Sequence, residues 1–376
     1  MKRELIEPRP GWQDKVSAQG FLYHSLESPY WEESACYAFT AAEVDQLEAA
    51  TNELFGMCLE AVELVMKEKR YAQFRIPEWV APLIEYSWKE DMPSIYGRFD
   101  LAFRDGQVKL LEFNADTPTS LLEASVVQWF WLKDVFPAMD QFNAIHERLV
   151  KHWEVIKPYL ASPAIHFACM PDAVEDYMNV AYLMDTAEQA GLQPQLLYIP
   201  NIGYDAERRQ FLGVKDEPIH TLFKLYPYEF MVQEEYGQAL LPSKENTWWI
   251  EPAWKMILSN KSLLPLLWEM YPGHPLLLEA SWQPIGGDFV KKPIFSREGA
   301  NLTVVRDGQL LEGTGGEYGR EGFVFQRYFE LPVFDGMRPV IGSWVIGGEA
   351  AGIGIRETEG YVTGNTSRFV PHYFRP

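Results

Sequence analysis

The sequence predicts a mixed α/β (α+β) fold, and three stretches of the chain support this prediction. Residues 96–120 read as a strand, a tight turn, a second strand and the start of a helix. Residues 164–199 read as a strand, a helix and a strand, which is the unit that builds parallel sheets. From residue 288 onward, short apolar runs alternate with glycine-containing turns, which is typical of antiparallel strands.

The length and composition of the chain limit its class. A chain of 376 residues can bury a large core, and 47% hydrophobic with 23% charged content is ordinary for a globular protein. No apolar run reaches membrane-spanning length, and the first residues lack the apolar stretch of a secretory signal. The net charge of -20 opposes binding to nucleic acid. We therefore expect neither a membrane nor a nucleic acid as partner.

The cysteines and the acidic charge add a prediction about location. Cys36, Cys58 and Cys169 are scattered and odd in number, which fits reduced structural thiols better than a disulfide framework or a zinc site. This composition predicts a cytoplasmic protein. The acidic charge is most simply a route to solubility, and it would also favour a cationic small molecule.

The N-terminal part of the chain predicts a scaffold. Residues 1–39 show no clear periodicity and are interpreted as a wrapping segment. Thr40 and Glu43 form a capping box, and apolar residues at helical spacing follow up to Met66, which predicts a long helix. A shorter helix around residues 83–88 leads into the hairpin.

The predicted hairpin at residues 96–114 carries four polar side chains among apolar neighbours. They are Arg98, Asp100, Glu112 and Asn114. Residues two apart on a strand share a face, so each strand presents its polar pair on one side. A two-residue turn at residues 105–106 would put the two pairs on opposite faces. A three-residue loop with Gly106 in a G1 bulge would pair Phe103 with Gln107 and put all four on one face, and we predict this register.

Three of these side chains offer oxygen atoms that suit a hard cation. Asp100 and Glu112 provide carboxylates and Asn114 provides an amide oxygen. Mg²⁺ takes few protein oxygens and is usually shared with substrate phosphates, so this set predicts a magnesium-nucleotide site better than a closed calcium cage. The alternative is a solvent-facing hairpin with a cross-strand salt bridge. The apolar neighbours Leu111 and Phe113 argue against that alternative.

The segment after the hairpin predicts an anion site. Thr117 can cap a helix with Pro118 at its first position, and this helix would continue to about Phe136. Its unpaired amides and the hydroxyls of Thr117, Thr119 and Ser120 would face an anion close to the metal. A capped helix without a ligand explains the same residues equally well.

The strand-helix-strand unit suggests a second group of acids. Asp172 with Glu175 reads as a capping box, and the helix that it opens ends near Gly191. Ligands of such units gather at the strand ends, which places Glu175 and Asp176 near a possible cleft. The alternative is that Glu175 only caps the helix and that Asp176 is solvated.

Six sequence blocks together resemble the synthetase domain of glutathionylspermidine synthases. The similarity covers essentially the whole chain, the blocks come in the order of that family, and stand-alone relatives described as acid-amine ligases are closer still. The blocks are RFD at 98–100, EFNADTPTSLLEA at 112–124, EPAWKMILSNK at 251–261, KKPIFSREGAN at 291–301, VFQRYFELP at 324–332 and GIGIRE at 352–357.

The resemblance implies an ATP-grasp-type ligase in which the metal block precedes the nucleotide block, a permuted order. It implies binding of ATP by Lys255, Lys292, Ser296, Gly299 and Gln326. Lys291 is the alternative to Lys292, because alternation along a strand would aim one of the two inward. The amide of Gln326 can both donate to and accept from adenine.

The reaction implied by the resemblance is ATP-dependent amide formation through an acyl phosphate. Mg²⁺ would bridge the phosphates, and Arg98 and Arg356 would hold the transferring phosphoryl group. The hydroxyls of residues 117–120 would receive the acid. Glu175 and Asp176 correspond to an acidic pair near the polyamine in the family. The implied partners are small molecules, a glutathione-like or peptide acid and a polyamine-like amine.

The chain is expected to divide into three parts. Residues 1–160 would hold the N-terminal helices and the metal-binding hairpin, residues 161–240 a βαβ substrate-side subdomain, and residues 241–376 the nucleotide-binding lobe. Two other functions stay open, a non-catalytic ATP-binding sensor or interaction module and a small-molecule phosphotransferase. The sequence does not identify the acid, the amine or the oligomeric state.

Overall fold

Four- and five-stranded β-sheets form the framework of the chain, as seen in a computed structural model that describes residues 1–25, 29–364 and 367–375. Helices pack around these sheets. In chain order the α-helices are α1 (Trp12–Ala18), α2 (Ala41–Glu68), α3 (Ala81–Lys89), α4 (Gln128–Val135), α5 (Ile145–Ile156), α6 (Val174–Gln189), α7 (Tyr228–Met231), α8 (Lys255–Leu258) and α9 (Leu263–Met270). The predicted mixed α/β class is therefore confirmed.

The strands alternate with these helices along the first two thirds of the chain and then follow one another. They are β1 (Lys2–Leu5), β2 (Ala35–Thr40), β3 (Tyr96–Arg104), β4 (Gln107–Asn114), β5 (Ala164–Cys169), β6 (Gln193–Tyr198), β7 (Gly203–Asp205), β8 (Gln210–Leu212), β9 (Thr221–Lys224), β10 (Trp248–Ile250), β11 (Ala280–Ser281), β12 (Phe289–Pro293), β13 (Thr303–Arg306), β14 (Gln309–Gly313), β15 (Phe323–Arg327), β16 (Arg338–Ile346), β17 (Glu349–Thr358), β18 (Arg368–Val370) and β19 (His372–Arg375).

Helix α2 begins where the sequence predicts. The Thr40 hydroxyl accepts a hydrogen bond from the Glu43 amide, and the Glu43 carboxylate accepts one from the Thr40 amide, so the predicted capping box is confirmed. The apolar stripe from Val44 to Val65 is buried and packs against β16 and β17. Burying a side chain such as Leu54 contributes about 1.5–3 kcal/mol relative to leaving it in water.

The hairpin of β3 and β4 belongs to a five-stranded antiparallel sheet, here called the central sheet. Its strand order is β18-β17-β16-β3-β4. Strands from residues 96–114 and from residues 338–370 therefore lie side by side. One buried apolar cluster joins α2, this sheet and α9, and another joins the N-terminal segment with α4, α5 and α6.

The turn of the hairpin differs from the predicted three-residue loop. Arg104 pairs with Gln107, so Asp105 and Gly106 alone form the turn. Their φ angles are 52° and 73°, and two left-handed residues are what a two-residue type I′ turn requires. The predicted register is therefore wrong, because an Asp-Gly pair closes the tighter turn without an additional residue.

A β-bulge in the hairpin brings the four polar side chains to one face in spite of the two-residue turn. Between Asp100 and Leu101 the register shifts, and Leu111 has no partner across the ladder. Beyond the bulge, Asp100 lies opposite Glu112 and Arg98 lies opposite Asn114. The four polar side chains therefore share one face, although by a route other than the predicted one.

The second sheet is parallel, with strand order β10-β9-β5-β6. Its strands β5 and β6 are joined by α6, which confirms the predicted strand-helix-strand unit. The capping box predicted for Asp172 and Glu175 is wrong, because α6 begins after Ala173 and has no side-chain cap. The carboxylate of Glu175 therefore does not cap α6.

The third sheet is antiparallel, with strand order β11-β15-β12-β13-β14. It is formed entirely from residues after 279 and contains the lysine pair of β12. None of the helices in the described ranges is long and apolar enough to cross a membrane.

A buried ion pair ties the parallel sheet to the segment that follows the hairpin. Lys224 Nζ, at the end of β9, lies 2.5 Å from Asp116 Oδ1, and both side chains are fully buried. The other oxygen of Asp116 accepts a hydrogen bond from the Tyr228 amide at 3.1 Å. Asp116 lies two residues after the end of β4. The ion pair therefore anchors the start of the segment 115–120 to the parallel sheet.

Replacing one partner of this pair should be strongly destabilising. Lys224→Met leaves the Asp116 carboxylate buried without a cation, and we expect the free energy of unfolding to fall by about 3–5 kcal/mol. The double variant Lys224→Met/Asp116→Asn should recover part of the loss. Urea unfolding measures both. Lys151→Met, at an exposed ion pair, is the matched control and should change stability by about 1 kcal/mol or less. A similar small change in Lys224→Met would contradict the assigned role of the pair.

Candidate active site

A cleft, here called cleft A, lies between the hairpin of the central sheet and the third sheet. It encloses about 830 Å³ of space, including its open mouth. One end carries charged side chains from both sheets and from the turn between α8 and α9, and the rest is apolar apart from Arg327, Arg338 and a few polar side chains. The charged end contains Asp100, Glu112, Lys261 and Lys292, and the apolar part includes Val290, Leu302, Val304, Leu331 and Val340.

Lys292 and Gln326 join the third sheet to the bulge of the hairpin. Lys292 Nζ donates to the carbonyl oxygen of Leu111 at 2.9 Å and to Gln326 Oε1 at 2.7 Å. Gln326 Nε2 donates to the carbonyl oxygen of Leu110 at 2.9 Å. Lys291 points elsewhere, with its amine 3.8 Å from the centre of the Phe323 ring. Of the two predicted lysines, Lys292 is therefore the one in cleft A.

Lys261 is the second lysine of cleft A, and the sequence analysis missed it. Its Nζ lies 3.1 Å from Glu112 Oε2 and also donates to the carbonyl oxygen of Ser296. Burial alone would raise the pKa of Glu112, but the charges of Lys261 and Lys292 outweigh burial and lower that pKa to about 2. The signal was available, since Lys261 ends the block EPAWKMILSNK.

Lys255 and Ser296 are not where the resemblance placed them. Lys255 is buried, with its Nζ 2.6 Å from Glu251 Oε2 and hydrogen-bonded to the carbonyl oxygen of Tyr96. The Ser296 side chain is buried and donates to the Pro293 carbonyl oxygen, so only its own carbonyl acts at the site, by holding Lys261. Neither side chain lines cleft A. These two nucleotide-binding assignments are corrected accordingly.

The predicted metal-binding oxygens lie in one patch with two arginines. Asp100 Oδ1 accepts from Arg98 Nε at 2.8 Å, and Asp100 Oδ2 accepts from Arg356 Nη2 at 3.1 Å. Asn114 Nδ2 donates to Glu112 Oε1 at 3.3 Å. The two strands of the hairpin and β17 thus bring together five residues that the sequence analysis had selected.

The donor set of this patch fits a magnesium ion. Among the described residues no group of three or more His, Cys, Asp or Glu side chains could hold a metal by itself. The patch instead offers two carboxylates and one amide oxygen. Such an incomplete set of oxygens suits an ion that keeps waters and shares substrate phosphates. The two arginines pair with the Asp100 carboxylate and Lys261 pairs with the Glu112 carboxylate, so these cations balance the charge of the two acids.

A second cleft, here called cleft B, continues from this patch toward the parallel sheet. It shares Glu112, Gly299 and Thr363 with cleft A, so the two clefts meet at these residues. Gly299 has φ of 71°, and a Cβ there would lie 2.7 Å from Val362 Cγ1, so only glycine fits this wall. The predicted residues that line cleft B are Arg98, Asn114, Thr117, Thr119, Ser120, Glu175, Asp176 and Arg356.

The segment with the three predicted hydroxyls is not the capped helix start that we expected. The helix begins at Leu121, and the Leu121 amide donates to Asn179 Oδ1 at 3.0 Å. Ser120 is left-handed, with φ of 69°, and its hydroxyl oxygen lies 3.1 Å from that of Tyr30. The Thr117 hydroxyl accepts from Arg297 at 2.6 Å. Thr117 is therefore not the cap, because tertiary contacts hold residues 117–120 in a non-helical conformation.

Arg297 is another residue that the sequence analysis did not select. It donates through Nη2 to Glu229 Oε1 at 2.6 Å and through Nη1 to Thr117, and it lines cleft B. This guanidinium joins the loop after β12 to the hairpin segment and to α7. The only signal was its place in the block KKPIFSREGAN.

The far wall of cleft B is acidic. Burial and the neighbouring charges of Glu175 and Glu298 raise the pKa of Asp176 to about 6. Glu123, in a π-helical turn at Glu123–Val127, is almost completely buried, and burial together with the charge of Glu175 raises its pKa to about 8. Neither oxygen of Glu123 has a partner at normal hydrogen-bond geometry within the described part of the chain. A cation in cleft B would meet the carboxyl groups of Glu175 and Asp176 on this wall, while Glu123 is buried behind the cleft lining.

Comparison with known proteins gives a consistent set of relatives. Residues 3–375 match the family described as "Glutathionylspermidine synthase preATP-grasp". A Haemophilus influenzae protein named "Putative acid--amine ligase" is 44% identical, and the alignment covers all of both chains.

Two longer relatives match along most of this chain. Trypanothione synthetase of Crithidia fasciculata is 28% identical over 84% of this chain and 53% of its own length. The bifunctional glutathionylspermidine synthetase/amidase of Escherichia coli is 26% identical over 89% of this chain and 58% of its own length. The chain thus spans little more than half the length of these two proteins.

The buried Glu123 should make stability depend on pH. Between 4.5 and about 8, the unfolded chain gives up the Glu123 proton while the folded chain keeps it, so the free energy of unfolding falls as pH rises. At about 1.4 kcal/mol per pKa unit the full effect approaches about 4–5 kcal/mol. Glu123→Gln cannot titrate, so its stability relative to wild type should increase from about pH 5 to about pH 8 in urea unfolding. Parallel pH profiles for the two proteins would rule out a buried titrating carboxyl group.

Proposed function

Because the chain belongs to the glutathionylspermidine synthase preATP-grasp family, we propose that clefts A and B together join a carboxylic acid to an amine at the expense of ATP. Relatives named as ligases or synthetases match along most or all of the chain, and the prediction of an ATP-dependent acid-amine ligase is confirmed at this level. The observation that carries the proposal is that cleft A, with its two lysines, meets cleft B, with its arginines and its acidic far wall, at Glu112, Gly299 and Thr363.

Cleft A is the proposed site of ATP. Lys261 and Lys292 would bind the phosphates, and Lys261 takes the role that the sequence analysis gave to Lys255. The apolar part of the cleft would receive the base, with Gln326 near it. Gln326 already exchanges hydrogen bonds with Lys292 and the Leu110 carbonyl, so it would hold the wall of the site as well as the nucleotide.

Asp100, Glu112 and Asn114 are the proposed ligands of Mg²⁺. When bound, the ion would neutralise the phosphate charge and hold the nucleotide at the junction of the clefts. The chain would release Asp100 from Arg98 and Arg356 at the same time, which leaves two guanidinium groups for the substrates. This arrangement is the permuted ATP-grasp order, with the metal block before the nucleotide block, and it is part of the proposal.

The residues of cleft B would orient the two substrates. The hydroxyls of Thr117, Thr119 and Ser120 would receive the acid, and Arg98 and Arg356 would hold the transferring phosphoryl group. A carboxylate oxygen then attacks the γ-phosphorus, and ADP leaves with the bonding electrons. The amine nitrogen attacks the resulting acyl phosphate, the carbon-nitrogen bond forms, and phosphate leaves.

The proposed substrates are small molecules of two classes. Glu175 and Asp176 would hold a protonated amine, which fits a polyamine-like substrate. A glutathione-like or peptide acid is proposed from the family alone. The division into residues 1–160, 161–240 and 241–376 also stays a proposal. The central and parallel sheets each take strands from two of these parts, so the three parts share their sheets. A cytoplasmic location rests on three free, buried cysteines.

Hydroxylamine provides the test of this function. The protein is incubated with ATP, Mg²⁺, hydroxylamine and a panel of acids that includes glutathione, and hydroxamate, ADP and phosphate are measured. We expect hydroxamate and ADP in equal amounts with at least one acid. Asp100→Asn should lower ADP formation on the order of a hundredfold or more while the protein stays folded. A phosphorylated acid that resists hydroxylamine would favour a phosphotransferase, and tight ATP binding without turnover would favour a sensor.

A separate experiment tests whether Lys261, rather than Lys255, binds the nucleotide phosphates. Lys261→Met removes one charge from the phosphate end of cleft A and should weaken binding of magnesium-ADP by about tenfold or more in calorimetry. Lys255→Met is the matched control, since it should lower stability by leaving Glu251 buried without a cation, and leave ADP affinity of the folded protein within about twofold. The opposite pattern of affinities would restore Lys255 to the nucleotide site.

A further inference from the structure

We infer that Glu123 accepts the proton that the incoming amine must lose before it attacks the acyl phosphate, and that this proton passes through the Tyr30 hydroxyl. This inference rests on the proposed ligase function and adds a residue that neither the sequence analysis nor the comparisons select. Four observations support it: the absence of an ion-pair partner for Glu123, its position close to charged groups of cleft B, its local backbone, and its contact with a cleft-lining hydroxyl.

Glu123 differs from the other buried acids of the described chain in having no ion-pair partner. The other acids that are as deeply buried are each paired with a cation. The pairs are Glu33 with Arg9, Asp100 with Arg98, Asp116 with Lys224, Glu251 with Lys255 and Glu357 with Arg3. Neither Glu123 oxygen has a partner at normal hydrogen-bond geometry among the described residues. A buried carboxyl group without a cation is costly to ionise, so Glu123 can take up a proton readily, unlike an acid that is held ionised by a cation.

The position of Glu123 matches the place where the amine must react. The charges of Glu175 on α6 and Arg98 on β3 act on its carboxyl group, as does the hydroxyl of Tyr30 in the N-terminal segment. The charges of Glu175 and Arg356 also act on Tyr30, which lines cleft B together with both of them. Glu123 and Tyr30 are therefore close both to the acidic wall that would hold the ammonium group and to the arginines that would hold the acyl phosphate.

Tyr30 connects Glu123 to cleft B. Tyr30 and Ser120 line the cleft, and their hydroxyl oxygens are 3.1 Å apart, whereas Glu123 is 1% exposed and does not line it. The Tyr30 hydroxyl is also close enough to Glu123 to favour the charged form of its carboxyl group. A hydroxyl can accept one proton while it donates another, so Tyr30 can pass a proton from the cleft to Glu123.

The local backbone holds Glu123 in this position. Ser120 is left-handed, and Glu123 opens a π-helical turn that re-enters a regular helix at Gln128. Both features are uncommon, and π-helical turns and strained residues occur frequently at functional sites.

The proton transfer balances as follows. The step starts from the ionised form of Glu123, which becomes the major form above about pH 8. An alkyl amine arrives as an ammonium ion, and one N–H proton moves to Tyr30 as the Tyr30 proton moves to the Glu123 carboxylate. The freed lone pair forms the bond to the acyl carbon, and the carbon-oxygen bond to phosphate breaks with its electrons. The second N–H proton leaves with the phosphate, and Glu123 returns its proton to solvent. A pKa of about 8 makes this carboxylate a stronger base than an ordinary glutamate, which favours the first transfer.

The test compares two nucleophiles on the same acyl phosphate. Hydroxylamine is mostly uncharged at neutral pH and needs no base, whereas spermidine arrives protonated. With the acid of the panel that gives hydroxamate, we expect Glu123→Gln and Tyr30→Phe to keep hydroxamate formation within a few fold of wild type. Both should lower the rate of amide formation with spermidine on the order of a hundredfold. The rate of Glu123→Gln with spermidine should also keep rising at alkaline pH, where the free amine becomes available, beyond the pH at which wild type levels off.

Glu175→Gln is the matched control. It removes a carboxylate that binds the ammonium group and should raise KM for spermidine more than it lowers kcat. Equal losses with both nucleophiles in Glu123→Gln and Tyr30→Phe, or unchanged rates with spermidine, would overturn the inference while wild-type hydroxamate formation still supports the ligase function. Absence of hydroxamate in the wild type with every acid would overturn both.

Discussion

The two carboxylates at the centre of the site face each other because β4 contains one more residue than β3 between the turn and Asn114. With a two-residue turn and a regular ladder, Asp100 and Glu112 would point to opposite faces of the central sheet. The bulged residue, Leu111, shifts the register by one and turns both acids to the same side. It also leaves the Leu111 carbonyl outside the ladder, and Lys292 of the third sheet donates to that oxygen. The same bulge thus brings together the oxygens of the proposed metal site and joins two sheets.

Charge is distributed unevenly around that patch. The chain as a whole is acidic, with a net charge of -20, yet cleft A carries Lys261 and Lys292 at its charged end. Cleft B begins with arginines and ends with Glu175 and Asp176. Under the proposed function, a nucleotide phosphate and an ammonium group would be drawn to different ends of one continuous space. The acyl phosphate would form between them, where Arg98 and Arg356 converge on Asp100.

The sequence alone was sufficient for features that depend on local pattern. The Thr40 capping box, the hairpin, the strand-helix-strand unit and the polar residues of the hairpin all follow from spacing and turn chemistry. The register of the hairpin did not, because an Asp-Gly pair fits both loop types and the bulge is stabilised by contacts from the third sheet. Lys255 and Lys261 are both lysines of one block, and their tertiary ion pairs distinguish them, because Lys255 is buried against Glu251 whereas Lys261 reaches Glu112 in cleft A. The Asn179 contact with Leu121, where the helix begins, joins parts of the chain that no local pattern connects.

The central claim is that a phosphoryl group crosses from cleft A to a carboxylate held in cleft B. Its most direct measurement uses an acid substrate labelled with oxygen-18 in its carboxylate group, together with ATP, Mg²⁺ and an amine. Mass spectrometry of the inorganic phosphate released shows where the labelled oxygen goes. If an acyl phosphate forms, each amide produced is accompanied by one phosphate that carries one labelled oxygen. Unlabelled phosphate, with amide formed in the same reaction, would contradict this account.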